Sequence, residues 1–307
     1  MATVLEAAAA LRLGGLVLMP TETVYGLAAD ASDPAAIAAL FEAKGRPRFN
    51  PLIAHVTGLE AALAIAELDA RACSLAEAFW PGPLTLVAPI RDAAAVCDLA
   101  RAGLDTVAVR APDHPIAQAV LDALGRPVAA PSANRSGRPS PTTFADAVEE
   151  TGAFAAAALD GGPCRIGLES TVLGQTRGQL MLLRPGAVTR EEIEQVAGSL
   201  ASGLGEGRRS PGRLARHYAP SKPLRLDVAE PSAGAAWLAF GPAPAGRPLT
   251  FNLSPSGDLA EAAANLFAFL RAADRTDAGV IETAPIPHTG LGEAINDRLQ
   301  RAAGRVG

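Results

Sequence analysis

Lysine is nearly missing from this chain: Lys44 and Lys222 stand against 25 arginines, and tyrosine is as scarce, with two copies. A sequence that uses arginine wherever any cation serves, yet keeps a lysine, points to a place where a compact, flexible ammonium is needed. The three cysteines, Cys73, Cys97 and Cys164, are odd in number and scattered, with no Cys-x-x-Cys pair to hold zinc or run redox exchange. A reducing compartment fits them. Aromatic residues make up 4% of the chain, too few for a surface that works by stacking bases. No run of about 18 apolar residues occurs, and Met1-Ala2-Thr3-Val4-Leu5-Glu6 has no basic segment ahead of its apolar residues. A soluble, cytoplasmic protein with no membrane association is therefore expected. A net charge of −5 and a pI near 5.5 argue against a coat for nucleic acid or an anionic membrane, while leaving room for a local basic pocket.

The common nucleotide signatures are also missing. Ala43 precedes Lys44 and Ser221 precedes Lys222, so neither lysine closes a Gly-x-x-x-x-Gly-Lys loop. Gly203-Leu204-Gly205-Glu206-Gly207 has no strand ahead of it and reads as linker, so a dinucleotide site, and with it NAD, is not supported. No Gly-x-Ser-x-Gly elbow and no His-Glu-x-x-His zinc helix is present.

What is there reads as α/β organisation in 307 residues, enough for a large domain and a small one. Thr3 caps a helix running to Leu13, and the apolar run at 16–19 is a buried strand. Asp33-Pro34 opens a second helix that Gly45 closes, placing Lys44 on its last turn. Further strands are expected at 52–56, 84–90, 106–110, 128–131, 171–173 and 180–183, with helices at 114–124 and 142–150. Residues 201–212 have turn formers and charge without apolar periodicity. The division is a catalytic domain over 1–200, a linker or lid over 201–222 and a small domain over 223–307. That last unit is expected to hold strands at 224–228, 236–240, 249–252 and 279–282, a helix from 259 to about 273 and another from 293.

Lys44 and Arg46, two apart across a glycine at a helix end, can point two cations into one space, which suits a polyphosphate; equally, they can simply complement the helix dipole. The loop Pro47-Arg48-Phe49-Asn50-Pro51 after them favours ligand presentation. Thr21-Glu22-Thr23 and Ser132-Ala133-Asn134 place polar groups at strand ends, as a binding site or as turns. Arg110 and Arg184 each close an apolar strand, either paired structurally or placed to grip a carboxylate or phosphate. His55 in Leu52-Ile53-Ala54-His55-Val56 reads locally as a core histidine, and Ser170-Thr171 as ordinary strand polarity.

The order of these segments is more telling than any one of them. Pro20–Leu27, Lys44–Leu52, Ser132-Ala133-Asn134-Arg135-Ser136-Gly137 with Ser140-Pro141-Thr142-Thr143, Leu168-Glu169-Ser170-Thr171-Val172, Leu183-Arg184-Pro185-Gly186 and His217-Tyr218-Ala219-Pro220 together resemble the threonylcarbamoyl-AMP synthases, the YrdC-like family in its longer two-domain form. Gly290-Leu291-Gly292-Glu293-Ala294-Ile295-Asn296-Asp297-Arg298-Leu299 is similar to the family's C-terminal domain. Ala28 departs from the family, which usually has glycine there.

The resemblance implies a YrdC-like twisted mixed sheet with a deep basic cavity, followed by a small α/β Rossmann-like domain. It implies formation of threonylcarbamoyl-AMP and pyrophosphate from ATP, L-threonine and bicarbonate or carbon dioxide, with Mg²⁺ held mainly through the ATP phosphates. A separate transferase would then deliver the product to tRNA. By the same resemblance Lys44, Arg46, Ser132 and Asn134 gather the triphosphate and act in catalysis, and Asn50, Thr106, Ser140, Arg184 and Tyr218 complete the ATP site. Thr23, His55, Arg110 and Ser170, with main chain near Ala130, would hold L-threonine, Arg110 facing its carboxylate. The rival readings are an RNA-binding module without catalysis, disfavoured by acidity and few aromatics, and a carbamoyl-transfer maturation factor, whose cysteine-rich zinc segments three scattered cysteines cannot supply.

Overall fold

A computed structural model of the chain describes residues 2–176, 179–201, 217–244 and 246–304. Helix α1 (Val4–Arg12) starts at a reciprocal cap in which Thr3 and Glu6 satisfy each other's main-chain N–H groups. It leads to β1 (Leu16–Met19), which turns back antiparallel into β2 (Gly26–Asp30). Ala28 is fully buried in β2, paired with Val17, so alanine is accommodated where the family usually has glycine. Helix α2 (Pro34–Lys44) begins at the Asp33 side-chain cap, and Gly45 ends it in the left-handed conformation, φ 58°, that a side chain would resist.

Strand β3 (Ile53–His55), helices α3 (Leu59–Ile65) and α4 (Ala70–Phe79), strands β4 (Leu84–Pro89) and β5 (Thr106–Arg110), helix α5 (Pro115–Leu124) and strand β6 (Val128–Ala129) follow. Helix α6 (Phe144–Thr151), strands β7 (Ala155–Ala158), β8 (Thr171–Thr176) and β9 (Gln179–Arg184) and helix α7 (Arg190–Ala197) complete the first unit. The nine strands form one mixed sheet in the order β7-β1-β2-β6-β3-β5-β4-β8-β9, with parallel pairs β1/β7, β3/β5 and β4/β8. The expected strands are present, several with shifted ends. Strands β2 and β7 and helices α3, α4 and α7 lie outside the expected set. β7 is four alanines, a helix-favouring composition that pairing with β1 overrides.

One sheet face carries Leu84, Leu86, Val107, Val109 and Leu173 into the main core, beneath Leu40 of α2 and Leu75 of α4. On the other face α1 and α5 cover Val17, Met19, Ala28 and Val128. Beyond them that face carries Ile53, Ala108, Val172 and Leu183, and there the cavity opens.

The second unit comprises β10 (Leu224–Arg225), β11 (Ala236–Ala239), β12 (Thr250–Asn252), α8 (Leu259–Asp274), β13 (Ile281–Thr283) and α9 (Leu291–Ala302). Its four strands are all parallel, ordered β10-β13-β11-β12, as expected of a small Rossmann-like unit. Leu266, Phe267 and Leu270 of α8 and Ile295 and Leu299 of α9 form its core, and Val24, Leu168 and Tyr218 join that core from outside the unit. The segment 202–216, most of the expected linker, lies outside the described residues. Among the described residues no helix is long and apolar enough to cross a membrane.

Candidate active site

The loop after β1, the loop after α2, the ends of β3 and β5, the loop after β6, the β8–β9 pair and the His217-Tyr218 segment converge on one cavity. Because β3 and β5 run parallel with His55 opposite Arg110, both side chains reach the same wall. Thr23, Arg46, His55, Arg110, Ala130, Ser132, Ser170, Arg184 and Tyr218 all line it, nine of the fourteen residues that the resemblance singles out. Lys44 and Asn134 lie directly behind Ser132 and are buried. Asn50, Thr106 and Ser140 do not line the cavity. Thr106 sits on the same face of β5 as Arg110 but at the strand's opposite end, and Ser140 reaches the wall only through Glu169, to which its hydroxyl donates at 2.6 Å.

Lys44 performs a specific job at this wall. Its ammonium donates to the main-chain carbonyls of Ser132 and Asn134, while its own carbonyl accepts from the Ser136 N–H at 2.8 Å, so the end of α2 and the Ser-Ala-Asn loop are zipped together. Ser132 Oγ donates to Asn134 Oδ1 at 2.5 Å, and Asn134 Nδ2 donates to the carbonyls of Arg135 and Arg138. Arg46, half-buried, donates to the carbonyls of Asn50 and Pro51. Among the described residues the hydrogen-bond partners of Lys44 and Arg46 are thus carbonyl dipoles rather than carboxylates.

The electrostatic consequence is uniform. Burial, reinforced by Arg46, pushes Lys44 well below the ordinary lysine pKa. Burial lowers Arg46 to about 10, with Tyr218 opposing and Arg184 adding to the effect. Arg184, buried, is lowered in the same direction by its desolvation. His55 falls to about 3 through burial and the nearby Arg110, and His217 to about 3 through burial, with Glu169 opposing and Arg46, Lys44 and Arg184 adding to the fall. Both imidazoles are neutral near pH 7. Every basic group with a displaced pKa in this wall is displaced toward its neutral form, and burial is the largest cause in each.

Among the described residues one carboxylate, Glu169, lines the cavity and a second, Glu22, lies behind Arg110; both are engaged. Glu22 forms a buried ion pair with Arg110, whose guanidinium also donates to Thr23 Oγ1 at 3.0 Å and to the Gly82 carbonyl. Glu169 accepts from Ser140 on one oxygen and from Arg298 of α9 on the other, at 2.9 Å. Arg184 clasps the Ser170 carbonyl and hydroxyl, and Ser170 Oγ is hydrogen-bonded to Thr85 Oγ1 at 2.7 Å. Gly186 makes that clasp possible: a Cβ there would lie 2.4 Å from Thr171 N, so only glycine lets the Arg-Pro-Gly turn cross the start of β8.

The family model described as telomere recombination, the Sua5/YciO/YrdC model, matches residues 9–186. The chain belongs to the Sua5/YciO/YrdC family. A second model, threonylcarbamoyl-AMP synthase C-terminal domain, matches residues 188–304. The threonylcarbamoyl-AMP synthase of Pyrococcus abyssi is 41% identical, covering 97% of this chain and 93% of that protein. The Bacillus subtilis threonylcarbamoyl-AMP synthase is 38% identical over 97% and 92%. The crystal structure of P. abyssi Sua5 complexed with L-threonine superposes with a TM-score of 0.89 at 39% identity, covering 98% of this chain and 94% of that one. The likeness of this Sua5/YciO/YrdC member to both therefore spans both units.

His217 and Glu169 also line the cavity, and reading residue types alone gives neither a role. Both sit inside segments that carry the resemblance, His-Tyr-Ala-Pro and Leu-Glu-Ser-Thr, and that company is the signal that finds them.

Proposed function

We propose that this chain is an L-threonylcarbamoyladenylate synthase that joins L-threonine, carbon dioxide from bicarbonate, and ATP, releasing pyrophosphate. The observation that carries the reading is the cavity itself, in which Lys44 and Arg46 are desolvated and, among the described residues, hydrogen-bonded to carbonyls rather than carboxylates, in a chain similar over both units to a Sua5 solved with L-threonine. Such a wall is stabilised by an anionic ligand and suits a triphosphate.

The chemistry asks little covalent work of the protein. The deprotonated amine of L-threonine adds to carbon dioxide to give a carbamate, whose oxygen attacks the α-phosphorus as the bond to the pyrophosphate oxygen breaks. Charge grows on the leaving and non-bridging oxygens, and preoriented cations stabilise it. Lys44, Arg46 and Arg184 take that role, with Ser132, Asn134, Asn50, Thr106, Ser140 and Tyr218 completing the ATP site. Thr23, His55, Arg110, Ser170 and the main chain at Ala130 hold L-threonine; its carboxylate competes with Glu22 for Arg110. A neutral His55 can accept a hydrogen bond there without adding positive charge.

The donor set fits Mg²⁺ only as a companion of phosphate. The Glu169 carboxylate is already shared by Ser140 and Arg298, and the Ser132 hydroxyl is already given to Asn134 Oδ1. Bound with ATP, Mg²⁺ would neutralise phosphate charge.

The chain divides into a catalytic domain over 1–200, a linker over 201–222 and a C-terminal domain over 223–307. Its His217-Tyr218 pair serves as a lid that excludes water from the labile carbamate. A separate transferase then moves the threonylcarbamoyl group to tRNA, in the cytoplasm. Pyrophosphate release from ATP, measured with L-threonine and bicarbonate omitted in turn, tests the reading. Release must require both; release that ignores L-threonine overturns it.

A further inference from the structure

Arg298 is a cation of the second unit that reaches the wall of the first. It is the largest of the fully buried side chains, 1% exposed, on helix α9. Its Nε donates to Glu169 Oε2 at 2.9 Å and its Nη1 to Asp297 Oδ2 at 2.7 Å, while the guanidinium lies over the Tyr218 ring, 5.4 Å from its centroid. Glu169 and Tyr218 both line the cavity. One planar group therefore touches two wall residues at once from behind the wall, on a helix none of whose residues lines the cavity.

The strap that carries Tyr218 is held at several points by the same region. Tyr218 has φ 62°, an unfavourable backbone for a bulky residue, and its ring is sandwiched between Phe267 at 5.3 Å and His217 at 4.0 Å. The His217 N–H donates to the Arg301 carbonyl of α9, and Asp297, which braces Arg298, is itself gripped by Arg301 at 3.0 Å. A strained conformation persists only where its surroundings over-determine it. Here the surroundings include α9, Phe267 of α8 and, from the first unit, the Gly137 carbonyl, which accepts from the Ala219 N–H at 2.7 Å.

We propose that Arg298 is a positioning residue for the synthase reaction, its guanidinium fixing Glu169 and the face of Tyr218 so that the second unit completes the nucleotide-binding wall of the first. This rests on the synthase reading and gives the second unit a task within it. An alternative in which the pair merely docks the two units has a built-in comparison, because Arg271–Glu150 is also a buried ion pair between them and neither residue lines the cavity.

The pH profile separates positioning from docking. The charged and titratable groups facing Glu169 are Arg298 with its companion Asp297 on α9, Arg184 at the end of β9, and His217 and Tyr218 on the strap. Burial pushes the Glu169 carboxyl up, and Arg298, Arg184 and the Ser140 hydroxyl overcome it. Removing Arg298 takes away the largest of the opposing effects, so Glu169 must titrate at higher pH.

The experiment measures L-threonine-dependent pyrophosphate release by the full chain from about pH 5 to 8. Arg298→Gln is expected to lose about ten- to a hundredfold in kcat/KM, the worth of a charge-assisted hydrogen bond, and to fall off more steeply on the acid side than the unaltered protein, whose own profile follows the threonine amine. Arg298→Lys, which keeps the charge but neither the fork nor the plane, is expected to keep the profile of the unaltered protein with KM for ATP raised about tenfold. Arg271→Gln, the docking control, is expected to melt earlier with an unchanged profile. Wild-type kinetics and profile in Arg298→Gln overturn the proposal; should that variant not fold, wild-type KM in Arg298→Lys overturns it alone. Release by the unaltered protein that does not depend on L-threonine sinks the synthase reading, whereas dependent release with an unaffected Arg298 variant sinks only this assignment.

Discussion

The guanidinium of Arg271 on α8 donates to Glu150 Oε1 on α6 at 3.0 Å, and both side chains are buried. The two units are thus joined through charge as well as through the apolar core that Val24 and Leu168 share with α8 and α9. Removing one member of a buried pair leaves the other desolvated and unpaired. Arg135 remains bonded to Glu150 and limits the damage. Arg271→Ala is expected to cost about 3 kcal/mol, near the low end for such pairs. Urea unfolding checks it, and a loss below about 1 kcal/mol would put the docking energy elsewhere.

Lys44 yields a second prediction, in which activity and fold part company. Lys44→Ala removes the donor that draws the Ser132 and Asn134 carbonyls to the end of α2, and with it a cation of the proposed phosphate site. Pyrophosphate release is expected to fall by about a thousandfold, as for loss of an electrostatic contact to developing charge. The fold is expected to survive, because desolvating the ammonium already works against stability. Pyrophosphate should raise the melting temperature of the unaltered protein and not that of the variant. Near-normal turnover in Lys44→Ala would remove Lys44 from the chemistry.

The scarcity of lysine and tyrosine was a good pointer at two of four places. Lys44 and Tyr218 belong to the cavity and its backing, whereas Lys222 binds the Asp274 carbonyl and Tyr25 donates to the Gly162 carbonyl at 2.8 Å, both structural tasks. Helix ends were legible because Thr3, Asp33 and Gly45 act within a few residues of themselves. β7 was not, since four alanines carry no strand signal and only β1 makes them one. The ion pair that occupies Arg110 was equally hidden: Glu22 lies 88 positions away, and nothing local distinguishes a paired arginine from one awaiting a ligand. The motif around Arg298 gives that residue no legible role, because its partner Glu169 lies in the other unit.

Acid should destabilise the protein in two overlapping windows. His55 and His217 have folded pKa values of about 3 against an ordinary 6.5, so each favours the fold above pH 6.5. That contribution is lost as pH falls toward 3, because the unfolded chain takes up the proton first. Glu169 has a folded pKa of about 2 against 4.5, so its contribution is complete above 4.5 and disappears as pH falls through 2. Urea midpoints measured against pH should therefore begin to fall below about 6.5, before carboxylates titrate. His55→Gln should flatten the upper window and Glu169→Gln the lower. A midpoint that stays level from pH 6.5 to 5 would mean that neither imidazole is held neutral in the fold.

Two glycines give a matched pair of substitutions. At Gly186 a Cβ would lie 2.4 Å from Thr171 N, 2.5 Å from the Ser170 carbonyl carbon and 2.6 Å from the Glu169 carbonyl oxygen, all main-chain atoms that cannot swing aside. At Gly279 nothing lies within 4 Å. Gly186→Ala must move the Arg-Pro-Gly turn away from β8, and the Ser170 carbonyl that holds the Arg184 guanidinium moves with respect to it. It is expected to cost about 1–3 kcal/mol of stability and a larger share of turnover than of fold, since a displacement near 1 Å can cost about a hundredfold in rate. Gly279→Ala should stay within about 0.5 kcal/mol. Melting and pyrophosphate release measured side by side decide it: if Gly186→Ala turns over normally while melting early, the turn serves only the fold and Arg184 does not depend on it.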